Sequence, residues 1–394
     1  MQTFEQITAI LEPIKKIVNV MKQGRVNDKV IEDIQLSVNE INQTLYFWSV
    51  LKFQKEYDLD NEEEYFAYVG ELESLIILWE QSIQRRTGLK IDREFWSIYE
   101  FFKYVDANVI YQLTVEKFMS LPEGMRIEYL SLPHRYTFLN NKIDFTKNDF
   151  SLIYEHTMVM VQNVENYKWL YEHLADNRSK IVLNGIIRYW FEFDLNKLHA
   201  LCETVFEDYY DMDIFVGEAE DVLVDLGAYI GDSVIDYIDT YGVYKRIYAY
   251  ELTPSTYQTL CNNVSTYSNV IVKQKGVSDV SGIMYVNDIL NGAGNKIEEK
   301  GDTPVEIVTL DEDIEESISV IKMDIEGAEK AAINGAARHI KEDRPKLMIS
   351  AYHKPEDIFE IPHLINDIRD DYQYYLRFNG HNGIWPCDYV LFAV

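Results

Sequence analysis

The sequence has few cysteines and few basic residues. The three cysteines among its 394 residues form no CxxC pair, which is typical of a reducing compartment and excludes the common cysteine-based metal sites; they are Cys202, Cys261 and Cys387. Lys and Arg number 37 against 66 Asp and Glu, so the formal net charge is -29. Because such a chain repels phosphate backbones and anionic lipid surfaces, we expect no nucleic-acid partner.

The sequence also has no long apolar run. Its opening residues, MQTFEQITAI, are polar and acidic, unlike a secretory signal, and no apolar run approaches the roughly 20 residues that a spanning helix needs. We therefore expect a cytoplasmic protein without a membrane span. Hydrophobic residues make up 47 % and charged residues 26 % of the chain, which is typical of a globular protein with more than one domain.

Three regions follow from the hydropathy pattern. Apolar residues at helical spacing predict a helical bundle over 1–125, a candidate for interaction, oligomerisation or homodimerisation. Residues 126–218 mix strand-like and helical stretches and are interpreted as a connecting region that could cover an acceptor site. Four aromatic residues in this region could stack on a sugar: Tyr189, Trp190, Tyr209 and Tyr210.

Residues 219–394 show a different hydropathy pattern. Short β-branched or aromatic runs such as DVLVDLG, RIYAYEL, ISVIKMDIE and PKLMISAYH alternate with helical stretches. This alternation predicts βαβ units, with a parallel sheet covered by helices on both faces. The last two runs, YQYYLRFNG and YVLFAV, have no helix between them and predict an antiparallel hairpin at one sheet edge.

The first strand of this region leads into the turn DVLVDLGAYIGDS. A nicotinamide site normally has the pattern GxGxxG, but Tyr229 and Asp232 occupy its second and third glycine positions, which argues against a bound pyrophosphate. S-adenosylmethionine has no phosphate and carries cationic groups, so it suits an acidic turn. The pattern Asp225-x-Gly227-x-x-x-Gly231 fits that cofactor, with Asp225 either holding the turn or reaching the ammonium group.

The second strand adds to this interpretation. Glu251 ends the strand and can accept both ribose hydroxyls, while Leu252 can cover the adenine. The alternative is a tight turn followed by an ordinary surface acid.

Five ordered blocks resemble the FkbM family of S-adenosylmethionine-dependent methyltransferases. They are VDLGAYIGDS, YAYELTPSTYQTL, KGVSD, VIKMDIEGAEKAAINGA and PKLMISAYHKPEDIFEIPHLI, and YEHLADNRSKIVLNGIIRYW resembles a segment of the polysaccharide-associated branch. The resemblance implies a class I methyltransferase domain over 219–394, with a Rossmann-like seven-stranded sheet. It also implies a cofactor site formed by Asp225, Gly227, Ala228, Tyr229, Gly231, Asp232, Ser233, Glu251, Leu252, Thr253, Gly276, Val277, Ser278 and Asp324. One departure is Tyr229, where many members have Asn.

The same resemblance places candidate catalytic residues at two strand ends. Asp324 and Glu326 end the fourth strand, which opens toward the methyl group in this fold, and His353 ends the fifth. Methyl transfer to a hydroxyl benefits from a base, and the ordinary pKa of histidine lies near neutral pH. His353 could instead cap a helix, and Glu326 could serve only the helix dipole. Asp324 and Glu326 could chelate a divalent ion, but no histidine-rich spacing supports this, and we predict no metal.

The leading functional hypothesis is an O-methyltransferase that acts on a sugar hydroxyl of a glycan, of a capsule or lipopolysaccharide precursor in polysaccharide biosynthesis, or of a natural product. Its cofactor would be S-adenosyl-L-methionine and its product S-adenosyl-L-homocysteine. The alternatives are a methyltransferase for a protein or small metabolite, and a non-catalytic interaction protein that uses its helical half.

Overall fold

The computed structural model describes residue 74 and residues 90–135, 143–286, 297–298, 303–380 and 387–394. The chain divides into two units, Met1–Glu116 and Lys117–Val394. Most of the bundle predicted over 1–125 lies outside the described residues. The part that is described is helical, with α1 at Lys90–Tyr104, α2 at Ala107–Met119 and α3 at Glu123–Arg135.

The connecting region is more helical than its sequence indicates. A short antiparallel pair, β1 (Ile143–Asp144) and β2 (Asp149–Phe150), precedes helices α4 (Ser151–Gln162), α5 (Val164–His173), α6 (Asn177–Glu192) and α7 (Leu195–His199). Asp176 caps α6 by accepting a hydrogen bond of 2.7 Å from the backbone N–H of Ser179. Such a cap satisfies one of the free N–H groups at a helix start.

Most of the remaining elements alternate between strands and helices, as the sequence predicts. In chain order they are β3 (Val222–Leu226), α8 (Asp232–Tyr241), β4 (Arg246–Tyr250), α9 (Pro254–Asn263), β5 (Val270–Lys273), β6 (Lys275–Val277), β7 (Gly282–Val286), β8 (Ile297–Glu298), β9 (Thr303–Val308), α10 (Leu310–Asp313), β10 (Val320–Met323), α11 (Glu329–Gly335), α12 (Ala337–Glu342), β11 (Lys346–Ser350), α13 (Asp357–Ile368), β12 (Tyr374–Phe378) and β13 (Tyr389–Ala393).

Seven strands form one mostly parallel sheet in the order β12–β13–β11–β10–β3–β4–β5. Strand β13 runs antiparallel to both β11 and β12, so the predicted closing hairpin is confirmed, with β12 at the edge. All five residues of β3 and all four of β10 are buried. Because these neighbouring central strands run parallel, their carboxyl ends open at the same side of the sheet.

The structure also contains a second sheet, which the sequence does not predict. Its four strands are ordered β6–β9–β7–β8, and β6 starts two residues after β5 ends. Val305 and Ile307 of β9 form its small buried core. Through β6, this sheet places Gly276 and Val277 beside the carboxyl ends of the main sheet.

An ion-pair group attaches the connecting region to the sheet edge. The Arg377 guanidinium, on β12, donates to Asp211 at 2.6 Å and to Asp176 at 2.8 Å. The Arg377 and Asp211 side chains are almost fully buried. No helix among the described residues has the length and apolar character needed to cross a membrane.

Candidate functional site

A cavity of about 750 Å³ lies at the carboxyl ends of the central strands. Most of the predicted site residues line it: Gly227, Tyr229, Asp232, Ser233, Glu251, Leu252, Thr253, Gly276, Val277, Asp324, Glu326 and His353. Four predicted cofactor residues are not among its lining residues, namely Asp225, Ala228, Gly231 and Ser278. The structure thus brings the turn, the second strand end and the candidate catalytic residues to one place.

The turn after β3 depends on the glycine at position 227. Gly227 has a φ of +78°, and a Cβ atom there would lie 2.0 Å from the carbonyl oxygen of Asp324. The backbone N–H groups of Gly227 and Ala228 donate to the carbonyl of Tyr250 at 3.1 and 2.9 Å. The turn is therefore packed between the ends of β4 and β10, with Gly227 open to the cavity.

Asp225 lies beneath the turn and is fully buried. Its carboxylate accepts a hydrogen bond of 2.5 Å from the Ser233 hydroxyl and lies 3.0 Å from Nζ of Lys322. Lys322 Nζ also donates to the carbonyl of Gly227 at 2.9 Å. Asp225 therefore holds the turn, which is the first of the two roles expected for it.

Sequence reasoning missed Lys322. Burial alone would lower its pKa, but Asp225 and Asp324 raise the pKa above the usual lysine value, so the ammonium form persists. The available signal was a single lysine inside the apolar run ISVIKMDIE, which becomes a buried strand. A charged residue at such a position requires a partner of opposite charge.

Glu251 forms the second part of the cavity wall and is 8 % exposed. Its Oε1 accepts from the backbone N–H of Thr253 at 2.7 Å and from the Thr256 hydroxyl at 3.1 Å. Burial raises the pKa of Glu251, although these hydrogen bonds favour the charged form. The side chain is thus oriented at the place where the sequence predicts a ribose contact.

The candidate catalytic residues adjoin one another. Nε2 of His353 lies 3.4 Å from Oδ1 of Asp324 and 3.9 Å from Oε2 of Glu326. On the other side of the ring, Nδ1 lies 3.0 Å from Oε1 of Glu329. Burial would lower the pKa of His353, but Glu329, Asp324 and Glu326 raise it to about 10. This value differs from the near-neutral pKa on which the sequence argument for a histidine base relied.

Tyr209 is the one aromatic residue of the suggested sugar-stacking set that lines the cavity. Its hydroxyl donates to Oδ2 of Asp324 at 3.0 Å and lies 3.0 Å from Oγ of Ser350. The other three members of that set are buried core residues: Tyr189, Trp190 and Tyr210. Tyr209 therefore contacts one carboxylate oxygen of Asp324, and His353 lies near the other.

The connecting region supplies another part of the cavity wall. Three residues of α4 line the cavity: Leu152, Glu155 and His156. The His156 ring stacks on Trp190 with centroids 3.6 Å apart, and burial lowers its pKa to about 3. The neutral imidazole is therefore a stable wall element at physiological pH, and no sequence pattern distinguished it.

Comparison with known proteins finds a match for the part of the chain that supplies most of the cavity lining. Residues 225–376 match the family model described as the methyltransferase FkbM domain. This stretch is similar to FkbM methyltransferase domains. The match covers less than half of the chain and agrees with the five sequence blocks. It begins at Asp225, beneath the glycine turn, and includes Glu251, Asp324 and His353.

The comparison with solved structures also finds a methyltransferase of similar fold. The chain is 26 % identical to methyltransferase FkbM from Methylobacillus flagellatus KT, with a TM-score of 0.51; the match covers 61 % of this chain and 62 % of that chain. Less than two thirds of that relative is therefore matched.

More distant structures include an rRNA methylase from Streptococcus thermophilus (14 % identity, 45 % and 88 % coverage, TM-score 0.30). Another is fibrillarin from Aeropyrum pernix with natively bound S-adenosyl-L-methionine (14 % identity, 45 % and 67 % coverage, TM-score 0.31). A search of curated proteins found no match.

Proposed function

We propose that the protein transfers a methyl group from S-adenosylmethionine to a hydroxyl of a sugar or glycan. The observation that carries this proposal is the shared cavity, in which the turn of the FkbM-like stretch faces the Asp324, Glu326 and His353 side chains. The connecting region adds Tyr209 and the α4 residues to the same cavity, which supports a role for it as an acceptor-site cover.

The residues present fit this cofactor better than a dinucleotide. Gly227 offers backbone without a side chain, and Asp232 and Glu251 supply negative charge where a pyrophosphate would be repelled. In this proposal Gly227, Tyr229 and Asp232 hold the methionine end, and Glu251, Leu252 and Val277 hold the ribose and adenine. When bound, S-adenosylmethionine supplies an electrophilic methyl group.

The protein's own task is to orient the acceptor and take up its proton. The acceptor oxygen would attack the electrophilic methyl group that the cofactor supplies, with the carbon–sulfur electron pair left on sulfur, and its proton would need a base. The hydroxyl proton passes to the carboxylates of Asp324 or Glu326, because the raised pKa of His353 keeps its imidazolium form at neutral pH. His353 acts by holding these carboxylates, and Tyr209 by fixing Asp324.

Two measurements test the proposal. Calorimetry should detect binding of one S-adenosylhomocysteine per chain, and absence of binding would overturn the proposal. Incubation of the protein with labelled cofactor and fractionated extract should then place the label on a carbohydrate; label on protein or on a small metabolite would favour the alternative acceptors. The polysaccharide-associated branch and a homodimer through residues 1–125 stay predictions.

A further inference from the structure

Glu329 contacts the candidate catalytic residue His353 but is not among the residues that line the cavity. Its side chain is 1 % exposed, and its Oε1 accepts hydrogen bonds from the backbone N–H groups of Ile325 at 2.9 Å and Gly327 at 3.4 Å. Nδ1 of His353 lies 3.0 Å from the same oxygen. Because three nitrogen atoms converge on one buried oxygen, the orientation of the Glu329 side chain is fixed.

The two backbone hydrogen bonds hold the loop that follows β10. Glu326 lies between their donors and has a φ of +56°, a left-handed conformation that is unfavourable for an L residue. Such a conformation persists only where neighbouring groups hold it. The single oxygen of Glu329 binds the N–H groups of the residues on both sides of Glu326. Glu329 therefore fixes the backbone that carries the Glu326 carboxylate.

The ring of His353 has carboxylates at both of its nitrogens. Nδ1 faces Glu329, while Nε2 lies 3.4 Å from Oδ1 of Asp324 and 3.9 Å from Oε2 of Glu326. A neutral imidazole has one N–H group and one acceptor nitrogen, whereas the imidazolium has two N–H groups. Ionised carboxylates accept hydrogen bonds and donate none. Only the imidazolium therefore presents a donor to the carboxylates on both sides of the ring.

The charges around the ring act in the same direction. Burial would lower the pKa of His353, but three carboxylates raise it to about 10, in the order of their effect Glu329, Asp324 and Glu326. Two further titratable groups adjoin the ring, namely Tyr352, with ring centroids 4.3 Å apart, and the buried carboxyl of Asp357. The nearby Lys354 ammonium donates to a backbone carbonyl at 2.6 Å. Glu329 is thus the group whose charge favours the imidazolium most.

We propose that Glu329 is a positioning residue, which keeps His353 as an imidazolium and fixes the loop that carries Glu326. The purpose of this arrangement rests on the proposed methyl transfer. With both ring nitrogens protonated, His353 orients the carboxylates of Asp324 and Glu326 and leaves the acceptor proton to them. Glu329 acts only through these residues, because its side chain does not line the cavity.

Two substitutions separate the charge of Glu329 from its position. Glu329→Gln removes the charge and keeps an oxygen at the Oε1 position. Its NH2 group takes the place of Oε2, which has no hydrogen-bond partner among the described residues, so no bond is lost there. Glu329→Asp keeps the charge, but a side chain shorter by one methylene group withdraws the carboxylate from its nitrogen partners. The first variant tests the effect on His353, and the second tests the effect on the loop.

Nuclear magnetic resonance of the full chain, with carbon-13 at Cε1 of its eight histidines, measures the state of His353. The His353 signal is the one that His353→Gln removes. In the parent it should have the chemical shift of an imidazolium near pH 7, where an ordinary histidine is mostly neutral. In Glu329→Gln its titration midpoint should fall by about one pH unit or more, because an adjacent opposite charge is lost. An equal midpoint in parent and variant, or a neutral His353 in the parent near pH 7, would overturn the proposal.

Hydrogen exchange measures the loop. The amides of Ile325 and Gly327 should exchange about tenfold faster in Glu329→Asp, because loss of a hydrogen-bond acceptor favours local opening. In Glu329→Gln, which keeps the oxygen, their exchange should rise by about threefold at most. Equal exchange in the parent and Glu329→Asp would overturn the role of Glu329 in the loop, whether or not Glu329→Gln folds.

The matched control is Asp343→Asn. Asp343 pairs with Nδ1 of another buried histidine, His339, at 2.6 Å, and neither residue lines the cavity. This variant should leave the His353 midpoint and the exchange of the loop amides unchanged. A shift of the His353 midpoint equal to that in Glu329→Gln would contradict the assignment, because it would show a general effect of removing a buried carboxylate.

Calorimetry with S-adenosylhomocysteine on the parent separates this proposal from the proposed methyl transfer. A His353 midpoint that depends on Glu329, without S-adenosylhomocysteine binding, would support the link between Glu329 and His353 and overturn the methyl transfer. S-adenosylhomocysteine binding with a midpoint that does not depend on Glu329 would overturn the positioning role and leave the methyl transfer supported.

Discussion

Replacement of Gly227 by alanine should damage both stability and cofactor binding. The glycine has a φ of +78°, and the added Cβ would lie 2.0 Å from the carbonyl oxygen and 2.9 Å from the carbonyl carbon of Asp324. Both contacts are with backbone, which cannot rotate away as a flexible side chain could. Gly242 is a matched control, because its φ is +69° and a Cβ there would have no atom within 4 Å.

The difference in stability between the two variants measures the cost of the overlap between the added Cβ and the backbone of Asp324. A left-handed backbone conformation costs an L residue about 1–2 kcal/mol, and both variants incur that cost. Only Gly227→Ala also forces atoms apart in a packed region, which costs about 1–3 kcal/mol more. We therefore expect Gly227→Ala to lower the free energy of unfolding by about 2–5 kcal/mol and Gly242→Ala by about 1–2 kcal/mol.

Urea unfolding and calorimetry check this prediction together. The urea midpoint gives the loss of stability, and calorimetry with S-adenosylhomocysteine gives the affinity. Affinity should fall at least tenfold in Gly227→Ala, because the turn and the end of β10 must separate, and should be unchanged in Gly242→Ala. If both variants lost the same stability and bound the product equally, the close packing of the turn against Asp324 would be refuted.

Three further predictions concern other parts of the cavity. Lys322→Met should lower the free energy of unfolding by about 3–5 kcal/mol, because it leaves Asp225 as an uncompensated buried charge. In urea unfolding, the double variant with Asp225→Leu should recover part of this loss. Because the pKa of His156 is lowered from 6.5 to about 3 in the folded chain, the unfolded chain binds a proton in this pH range that the folded chain does not bind. Stability therefore falls as pH drops from about 6.5 to 3, and His156→Phe should reduce this slope by up to about 1.4 kcal/mol per pH unit in unfolding measured across that range. Tyr209→Phe should lower kcat about tenfold with little change in S-adenosylhomocysteine affinity, because it removes a hydrogen bond to Asp324; an unchanged kcat would count against that role.

The alternating domain could be predicted because its central strands are short, β-branched and continuously buried. Runs such as DVLVDLG and ISVIKMDIE coincide with β3 and β10, whose residues are all buried. The second sheet could not be predicted in this way. Its strands are partly exposed, and β9 alternates between buried and exposed positions over only six residues.

The placement of residues around the cavity could be predicted where chain position determines it, and not where tertiary contacts do. Gly227 and Glu251 follow from their places at the ends of successive strands, and both line the cavity. Lys322 and Glu329 gain their roles from partners on other elements, Asp225 and His353. The pKa of His353 likewise depends on three carboxylates whose distances the sequence does not contain.

The position of β13 links the far edge of the sheet to the Tyr209 side of the cavity. In the described part of the main sheet, β12 pairs with β13 alone, and β12 carries Arg377. Arg377 in turn holds Asp211, two residues beyond the cavity residue Tyr209. A substitution that loosens β13 would therefore alter acceptor affinity from a distance, so second-site suppressors of acceptor-pocket variants should be sought in this last strand.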